Sequence, residues 1–303
     1  MPTIRGEEIT ELIDLFNQRG VKFYHACQLK DFETYLKLGG IPSRHLMQTE
    51  GLPYTAFETD EIDQQNRVWD MVFGNLSDFG YAFANGNWRE NTAPIPTVYG
   101  PILLITSPDI FREANDVAIC LRSAGGRAFN RERESLGIGE VERIFAHSIE
   151  SAPTIYAKAY IKYSNDLKRE FNDNNAMSPE ISCIVDNRRL SLNYIEKIIV
   201  DRYHIEGQPL REHVLRLAMG ELIQPIWERR PYKDERIVII NEVISLIRNE
   251  VPSLNNLIEN QLLSDYTRDW ANRIRLSGNE YQYLRYARYL REGTLLHILE
   301  RNE

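Results

Sequence analysis

The feature that most constrains this 303-residue chain is a change in its apolar periodicity near residue 205. Before that point, short apolar runs typical of β-strands alternate with helical patterns. After it, amphipathic helical patterns dominate, and only RIVII at residues 236–240 is strand-like. The sequence therefore predicts an α+β fold, with a mixed β core and helices over residues 1–205 and an all-helical C-terminal extension over residues 206–303.

Individual elements of the first part follow from spacing and from turn residues. The patterns predict a helix that ends near Gly20, then the strand VKFYHA, then a helix that ends at Gly39 and Gly40. A further helix is predicted within residues 59–80, beginning near Thr59 and Asp60. Its apolar stripe consists of Ile62, Trp69, Val72, Phe73 and Leu76.

Two strong strand signals lie in the middle of the chain, and two further strands are predicted over residues 180–201. The runs PILLITS and DVAICLR are apolar and rich in branched residues, and the turn residues SAGG follow the second run. Residues 130–178 are mostly polar, and short helices interrupted at residues 172–175 are predicted there. The next strand begins at Glu180, directly after Ser178 and Pro179.

Composition restricts the classes of protein to which the chain can belong. The formal net charge is −8, so a polyanionic partner would need a local basic surface. The three cysteines are widely spaced among apolar residues, which predicts no disulfide framework and fits a reducing compartment. The sequence shows neither a signal-peptide core nor an apolar run of about 18 residues. We therefore expect a cytoplasmic protein without a membrane partner.

Common catalytic and nucleotide-binding motifs are missing from the sequence. It has no GxGxxG or GxxxxGK[ST] loop, no HExxH and no GxSxG. Its six histidines never occur at the spacing that metal ligands use. Dinucleotide loops, metal-dependent hydrolysis and a catalytic triad are therefore poor interpretations, and we predict no metal site.

Three isolated polar residues occupy unusual positions. His25 lies near the end of an apolar strand, Arg67 lies on the helix that carries the apolar stripe, and Glu180 begins a strand beneath a long polar loop. Each alone is more simply explained as a structural residue. A histidine at a strand end is commonly a hydrogen-bonded core residue, and an arginine on an amphipathic helix is commonly solvated.

The three residues occur within an ordered series of weak motifs. These are Tyr24-His25-Ala26-Cys27, the helix around Arg67, Asp78-Phe79-Gly80, Gly100-Pro101-Ile102-Leu103, and Pro179-Glu180-Ile181 followed by YIEKIIV. In order and spacing the series resembles the DarT-type DNA ADP-ribosyltransferases, the toxins of DarT–DarG toxin–antitoxin systems. The resemblance covers roughly residues 20–201, and the helical extension has no counterpart.

The resemblance implies an ADP-ribosyltransferase-like core and a set of roles. Glu180 would be the catalytic carboxylate, and Arg67 would contribute to catalysis and bind the co-substrate NAD. Tyr24, His25, Ala26 and Cys27 would form the remainder of the NAD site, without a metal. The acceptor would be a base in single-stranded DNA. A macrodomain-type antitoxin would be the protein partner, and the chain would act as the toxin of a toxin–antitoxin or phage-defence system.

Two segments could contact a nucleic-acid acceptor. The loop NGNWRENTAP contains Trp88 beside Arg89, which suits stacking on a base next to a phosphate. The C-terminal run YQYLRYARYLREG interleaves tyrosines with arginines, as single-stranded nucleic-acid sites do. Tyrosines at that spacing also fit the half-buried face of a structural helix, and we favour this second interpretation.

Two other hypotheses remain open on the sequence alone. The first keeps the NAD chemistry and changes the acceptor to RNA or protein. The second is a non-catalytic nucleic-acid-binding protein, in which Glu180 only caps a strand and the C-terminal extension binds the partner. Consumption of NAD by the purified protein distinguishes the two classes.

Overall fold

The computed structural model describes residues 3–56, 60–78, 100–120, 123–126, 129–145, 179–202, 204–205, 208–229, 234–247, 249–281, 283–284 and 287. Contacts group the chain into two compact units. The first comprises residues 1–26, 31–79 and 104–198, and the second comprises residues 27–30, 80–103 and 199–303. The predicted boundary between residues 205 and 206 stays a prediction.

Eleven strands are formed by the described residues. They are β1 (Phe23–Cys27), β2 (Gly40–Pro42), β3 (Val72–Asn75), β4 (Ile102–Thr106), β5 (Asp116–Cys120), β6 (Glu180–Ile184), β7 (Arg189–Ser191), β8 (Ile195–Asp201), β9 (His204–Ile205), β10 (Gln208–Pro209) and β11 (Ile226–Arg229). Seven of them form one sheet in the order β11-β8-β4-β1-β3-β6-β5. The pairs β1–β3, β3–β6 and β5–β6 are antiparallel.

The helices of the described residues are α1 (Glu7–Arg19), α2 (Leu29–Leu38), α3 (Arg44–Thr49), α4 (Asp60–Gln65), α5 (Arg131–Glu134), α6 (Ile138–Val141), α7 (Leu210–Ala218), α8 (Asp234–Ile247), α9 (Leu254–Glu259) and α10 (Asp265–Leu276). Short 3₁₀ helices span Pro108–Glu113, Glu142–Ile144 and Leu192–Tyr194. Helices and sheet together confirm the α+β class predicted from the sequence. Among these described helices, none combines the length and apolar character needed to cross a membrane.

Strand register places four residues in one row across the sheet. Tyr24 lies opposite Asn75, Asn75 lies opposite Glu180, and Glu180 lies opposite Cys120. Directly opposed residues point to the same face of an antiparallel sheet, whereas neighbours along a strand alternate. The side chains of Tyr24 and Glu180 therefore share a face, and that of His25 belongs to the opposite face.

Aromatic packing holds the face of the sheet on which Phe23 lies. Helix α1 buries Ile9, Leu12, Ile13 and Phe16 at helical spacing and ends at Gly20, whose φ of 65° suits glycine. The Phe16 ring meets Phe111 edge-on at 6.0 Å between ring centroids, and Phe111 meets Phe23 at 5.4 Å. These contacts confirm the first predicted helix and the VKFYHA strand.

Gly74 makes room for one of these rings at the centre of the sheet. A Cβ atom at Gly74 would lie 2.2 Å from two ring carbons of Phe23. Phe23 is fully buried, so its ring has no room to withdraw. Because Gly74 has no side chain, the Phe23 ring can lie over strand β3.

The predicted helix over residues 59–80 is wrong for most of its length. The helix ends at Gln65, and Val72–Asn75 is a central strand between β1 and β6. Arg67 has a φ of 59°, which terminates the helix, and β-branched and aromatic residues then suit a paired strand. The apolar spacing was compatible with a helix, but strand pairing determined the structure.

The C-terminal extension is not all-helical, and that part of the prediction is corrected. Strand β11 lies beside β8 in the sheet order, and Arg202 N donates to Arg229 O at 2.8 Å. The strand-like run RIVII lies within helix α8. The single pattern NNLIENQLLSDYTRDWANRI forms two helices, α9 and α10, because Ser264 caps a new helix by accepting a hydrogen bond from Thr267 N.

Candidate active site

Glu180 is held by the turn that follows strand β5. Its Oε2 accepts a hydrogen bond from the Ser123 hydroxyl at 2.9 Å, and its Oε1 accepts one from the Ala124 backbone N–H at 2.6 Å. The turn itself is closed by Gly126 N donating to Ser123 O at 3.0 Å. Because Glu180 lies opposite Cys120 at the end of β5, the turn after β5 comes directly beside the carboxylate.

Burial controls the charge of this carboxylate. Loss of hydration raises the pKa of Glu180 to about 7, although the hydrogen bonds from Ala124 and Ser123 act in the opposite direction. The carboxyl group is therefore divided between its ionised and protonated forms near neutral pH. Groups poised in this way are common where a side chain exchanges protons or stabilises charge.

Asp63 on α4 is a second perturbed carboxyl group. Burial raises its pKa to about 7, repulsion from Glu180 and from Asp60 adds to that rise, and Arg44 opposes it. The interaction between like charges is mutual, so ionisation of either Asp63 or Glu180 disfavours ionisation of the other. No sequence motif identifies Asp63.

Asn66 connects α4 with the turn that holds Glu180. Its side-chain nitrogen donates to Ala124 O at 2.8 Å and to Gly126 O at 3.1 Å. One carboxamide thus binds two carbonyl groups of the four-residue turn. The segment after Asn66 and the turn itself are also anchored by apolar packing. One buried apolar cluster on this face of the sheet consists of Val68, Ala118, Cys120, Ala124 and Phe129.

Arg67 lies just beyond α4 rather than on it. Val68 N donates to Asp63 O at 3.0 Å and Arg67 N to Gln64 O at 3.1 Å, the two bonds of a Schellman motif. Glycine normally occupies the left-handed position of this motif, but here it is Arg67, with φ of 59°. Among the described residues its exposed side chain has no hydrogen-bond or ion-pair partner. A cation kept in a strained conformation suggests a role for the side chain.

His25 uses both ring nitrogens within the protein. Nδ1 lies 2.6 Å from Phe73 O and Nε2 lies 3.0 Å from the Tyr35 hydroxyl. A carbonyl oxygen only accepts, so Nδ1 carries the proton and Nε2 accepts from Tyr35. Burial lowers the pKa of His25 to about 4, and the imidazole is neutral at neutral pH. A ribose hydroxyl at His25 would have to replace Tyr35.

Arg44 is an arginine that sequence reasoning missed. Its Nη1 donates to Thr55 O at 2.6 Å and lies 3.5 Å from Asp31 Oδ1, and its guanidinium lies 5.3 Å from the centre of the Tyr54 ring. Its charge lowers the pKa of both His25 and Asp63. The charge of Arg44 therefore acts on both His25 and Asp63.

The structure brings some of the predicted site residues together and separates others. Tyr24 and Glu180 belong to the same row of the sheet, and burial raises the pKa of the Tyr24 hydroxyl. Ala26 is half-buried in β1, and Cys27 is a buried thiol at its end. Trp88 and Arg89 lie outside the described residues, as do Phe79, Gly80, Tyr81, Tyr286, Tyr289, Arg285, Arg288 and Arg291.

The arrangement of these side chains suits stabilisation of a positive charge. Within the described ranges, no group of three or more His, Cys, Asp or Glu side chains could hold a metal ion. The ionised Glu180 carboxylate is fixed by two donors at a strand end, with Asp63 as its neighbour. A preorganised carboxylate of this kind stabilises a cationic transition state without having to reorganise.

Comparison with known proteins gives a distant structural similarity. No protein-family model matches the chain, and no curated protein matches it. Among solved structures it is similar to Thermus sp. 2.9 DarT in complex with ADP-ribosylated ssDNA, at 14% identity and a TM-score of 0.39, over 70% of this chain and 96% of that chain.

Two further structures of the Thermus protein match over a similar extent. The complex with NAD+ has 14% identity and a TM-score of 0.38, over 70% of this chain and 97% of that one. The complex with carba-NAD+ has 15% identity and a TM-score of 0.38, over 69% and 95%. All three structures are of DarT, the protein after which the family that the sequence motifs resemble is named.

Proposed function

We propose that this chain is an NAD-dependent ADP-ribosyltransferase that modifies a base in single-stranded DNA. The observation that carries the proposal is the Glu180 carboxylate, held by Ser123 and Ala124 at the start of a central strand and partly ionised at neutral pH. A structural strand cap has no need of a partly buried carboxyl group whose ionisation costs folding energy.

The chemistry requires cleavage of the bond between nicotinamide and ribose in NAD. Nicotinamide leaves with the bonding electron pair as a neutral molecule, and positive charge develops on the ribose. The ionised Glu180 stabilises that charge. An acceptor nitrogen or oxygen then forms a bond to the same ribose carbon and loses one proton, which an ionised Glu180 or Asp63 can accept. The products are nicotinamide and the ADP-ribosylated acceptor.

Binding of NAD requires a cation for its diphosphate and a surface for its rings. The exposed guanidinium of Arg67 can make two charge-assisted hydrogen bonds to phosphate oxygens. Arg44 is the alternative, although Asp31 and Thr55 already contact its guanidinium. Tyr24, on the face of the sheet that carries Glu180, supplies aromatic surface. The His25 side chain lies on the opposite face, bonded to the buried Tyr35 hydroxyl, so a role for His25 in NAD binding would require Tyr35 to move.

The acceptor and the biological role follow from the family resemblance. It points to single-stranded DNA as the acceptor, and Trp88 beside Arg89 is a candidate contact because an aromatic ring next to a cation suits a base next to a phosphate. It also points to a toxin of a toxin–antitoxin or phage-defence system with a macrodomain-type antitoxin as partner, acting in the cytoplasm. RNA or protein as the acceptor remains the second candidate.

The deciding experiment offers NAD together with a single-stranded oligonucleotide and measures the intact mass of the oligonucleotide. We expect one added ADP-ribose with the unmodified protein and almost none with Glu180→Gln. A matched control is Glu113→Gln, because Glu113 accepts a bond from Ser191 N at 2.7 Å elsewhere in the first unit.

RNA and a protein mixture are offered in parallel reactions with labelled NAD. If the label appears in RNA or protein and not in DNA, RNA or protein is the acceptor, and the proposed NAD chemistry still holds. Absence of NAD consumption with every acceptor would overturn the proposal in favour of a non-catalytic binding protein.

A further inference from the structure

We propose that Asn66 is a positioning residue that orients the Glu180 carboxylate through the turn Ser123–Gly126. This inference rests on the proposed function for its catalytic consequence, but its structural part can be tested without any enzymatic assay. Neither the motifs of the sequence nor the residues expected to bind NAD include Asn66 or the turn.

The first step is the direct support of Glu180. Both of its oxygens are bound by the turn, one through the Ser123 side chain and the other through the Ala124 amide. A backbone donor cannot change its direction without movement of the peptide group to which it belongs. The orientation of the carboxylate therefore depends on the position of the peptide before Ala124.

The second step is what fixes the turn. It contains two adjacent glycines, Gly125 and Gly126, which leave its backbone intrinsically permissive. Asn66 donates to the carbonyl groups on either side of Gly125, those of Ala124 and Gly126. The carboxamide thus spans the most permissive residue of the turn and restricts it to one conformation.

The third step is what fixes Asn66. It directly follows α4, where Asn66 N donates to Ile62 O at 2.8 Å within the Schellman motif that ends the helix. Val68, two residues later, is fully buried in one cluster with Ala124. Asn66 is consequently a rigid connection between two segments far apart in sequence, and the helix directly before it carries Asp63.

The chemical prediction separates orientation from binding. A carboxylate that stabilises charge only in the transition state affects kcat, whereas residues that hold NAD in the ground state affect KM. For Asn66→Ala we expect kcat to fall by about 10- to 100-fold and KM for NAD to change by less than about threefold. Ser123→Ala, which removes one direct donor, should act in the same direction.

The structural prediction concerns the pKa of Glu180. This pKa is measured by NMR of ¹³C-labelled glutamate, and the Glu180→Gln variant assigns the signal. The two hydrogen bonds favour the ionised form, so weakening them raises the pKa further. Asn66→Ala and Ser123→Ala should both raise it measurably. In the double variant the two shifts should be less than additive, because both act through the same turn.

A matched control removes one side-chain hydrogen bond of similar kind in the second unit. Ser253 caps α9 by accepting a bond from Asn256 N, so Ser253→Ala perturbs stability and should leave the pKa of Glu180 and kcat unchanged. If Asn66→Ala does not fold, Asn66→Ser replaces it, since the shorter hydroxyl cannot reach both carbonyls.

The outcomes separate this inference from the proposed function. A raised Glu180 pKa in Asn66→Ala supports the positioning role even if no variant consumes NAD, in which case only the function fails. A Glu180 pKa that rises in Ser123→Ala but stays unchanged in Asn66→Ala overturns the inference. A rise in KM at constant kcat overturns it as well, because Asn66 would then act in NAD binding.

Discussion

The backbone amide of Ala124 donates a 2.6 Å hydrogen bond to Glu180, although 56 residues separate the two in sequence. Strand pairing explains the contact, since Cys120 and Glu180 face each other where β5 ends and β6 begins. The contact gives the carboxylate a fixed direction, while burial keeps its pKa near 7. Because its direction is fixed and its charge is costly, Glu180 should respond both to substitution and to pH.

Replacing Glu180 by glutamine should separate activity from stability. We expect transfer to fall by about 10²- to 10³-fold, because the charge that stabilises the transition state is lost. The raised pKa means that stability falls as pH rises from the unfolded value of about 4.5 to about 7, where the buried group must ionise. Glutamine stays neutral, so at pH 8 the variant should be more stable by roughly 1–3 kcal/mol.

Urea unfolding at pH 5 and pH 8 tests the stability part, and single-turnover transfer tests the activity part. The difference in stability between the variant and the unmodified protein should be small at pH 5 and clear at pH 8. If the variant and the unmodified protein were equally stable at pH 5 and also at pH 8, Glu180 would ionise like an ordinary exposed carboxyl group.

The pH dependence of the reaction should depend on Asp63. We expect kcat to rise with pH through an apparent pKa near 7, as Glu180 ionises. Asp63→Asn removes a neighbouring negative charge and should move the midpoint to lower pH. Glu61→Gln, a carboxyl group on the exposed side of the same helix, is the control. An unmoved midpoint in Asp63→Asn would contradict the coupling.

Arg67 can be tested through the strain in its backbone. Arg67→Gly should keep or raise stability, by up to about 1 kcal/mol, because glycine adopts a positive φ without steric cost. It should also weaken NAD binding in calorimetry. Arg67→Lys should keep the strain and restore binding only partly, since an ammonium group lacks the planar fork.

Arg188 provides the matched control for that strain. It also has a positive φ, 52°, and Arg188→Gly should relieve it without an effect on NAD binding. If NAD affinity is unchanged in Arg67→Gly, Arg67 does not bind the NAD diphosphate. Arg44 would then be the candidate, and Arg44→Ala the decisive variant.

In the second unit, Tyr283 tests the structural interpretation of the C-terminal tyrosines. Its ring is fully buried and meets Trp270 edge-on at 6.1 Å, and its hydroxyl donates to Pro252 O at 2.8 Å. Tyr283→Ala should cost about 3–5 kcal/mol, and Tyr283→Phe about 1 kcal/mol. Tyr281, 77% exposed, is the control, and its replacement by alanine should leave the melting temperature almost unchanged.

Local sequence signals predicted the parts of the fold that local interactions determine. Helix α1, the strand with His25, the apolar strands β4 and β5 and the start of β6 at Glu180 were all anticipated. The helix predicted through Val72 and Phe73 failed, because apolar spacing there satisfied a helix while pairing with Ile181 and Cys183 formed a strand. Strand β11 was missed since its Ile226–Arg229 segment is short and partly charged.

The site residues likewise divide into those with a local sequence signal and those without one. Glu180 was predicted as the catalytic carboxylate because a carboxylate at a strand start, taken with neighbouring motifs, is distinctive, and that role stays a prediction. Asp63, Asn66 and Arg44 have no local signature, and their significance comes from neighbours distant in sequence. The pair Gly125–Gly126 was correctly interpreted as a turn, but its contact with Glu180 depends on the register of β5 and β6.

The β5 margin of the sheet has a consequence for handling the protein. Ile4 exchanges two backbone hydrogen bonds with Val117, at 2.8 and 3.0 Å, and Arg5 pairs with Asp116 at 2.5 Å. Ile4 occupies the backbone groups of Val117, in the last described strand, that could otherwise recruit a strand from another molecule, and Arg5 holds the same segment through the side chain of Asp116. A recombinant version trimmed past Arg5 would therefore expose a template for intermolecular β-pairing, and aggregation would limit its yield even though Glu180 is retained.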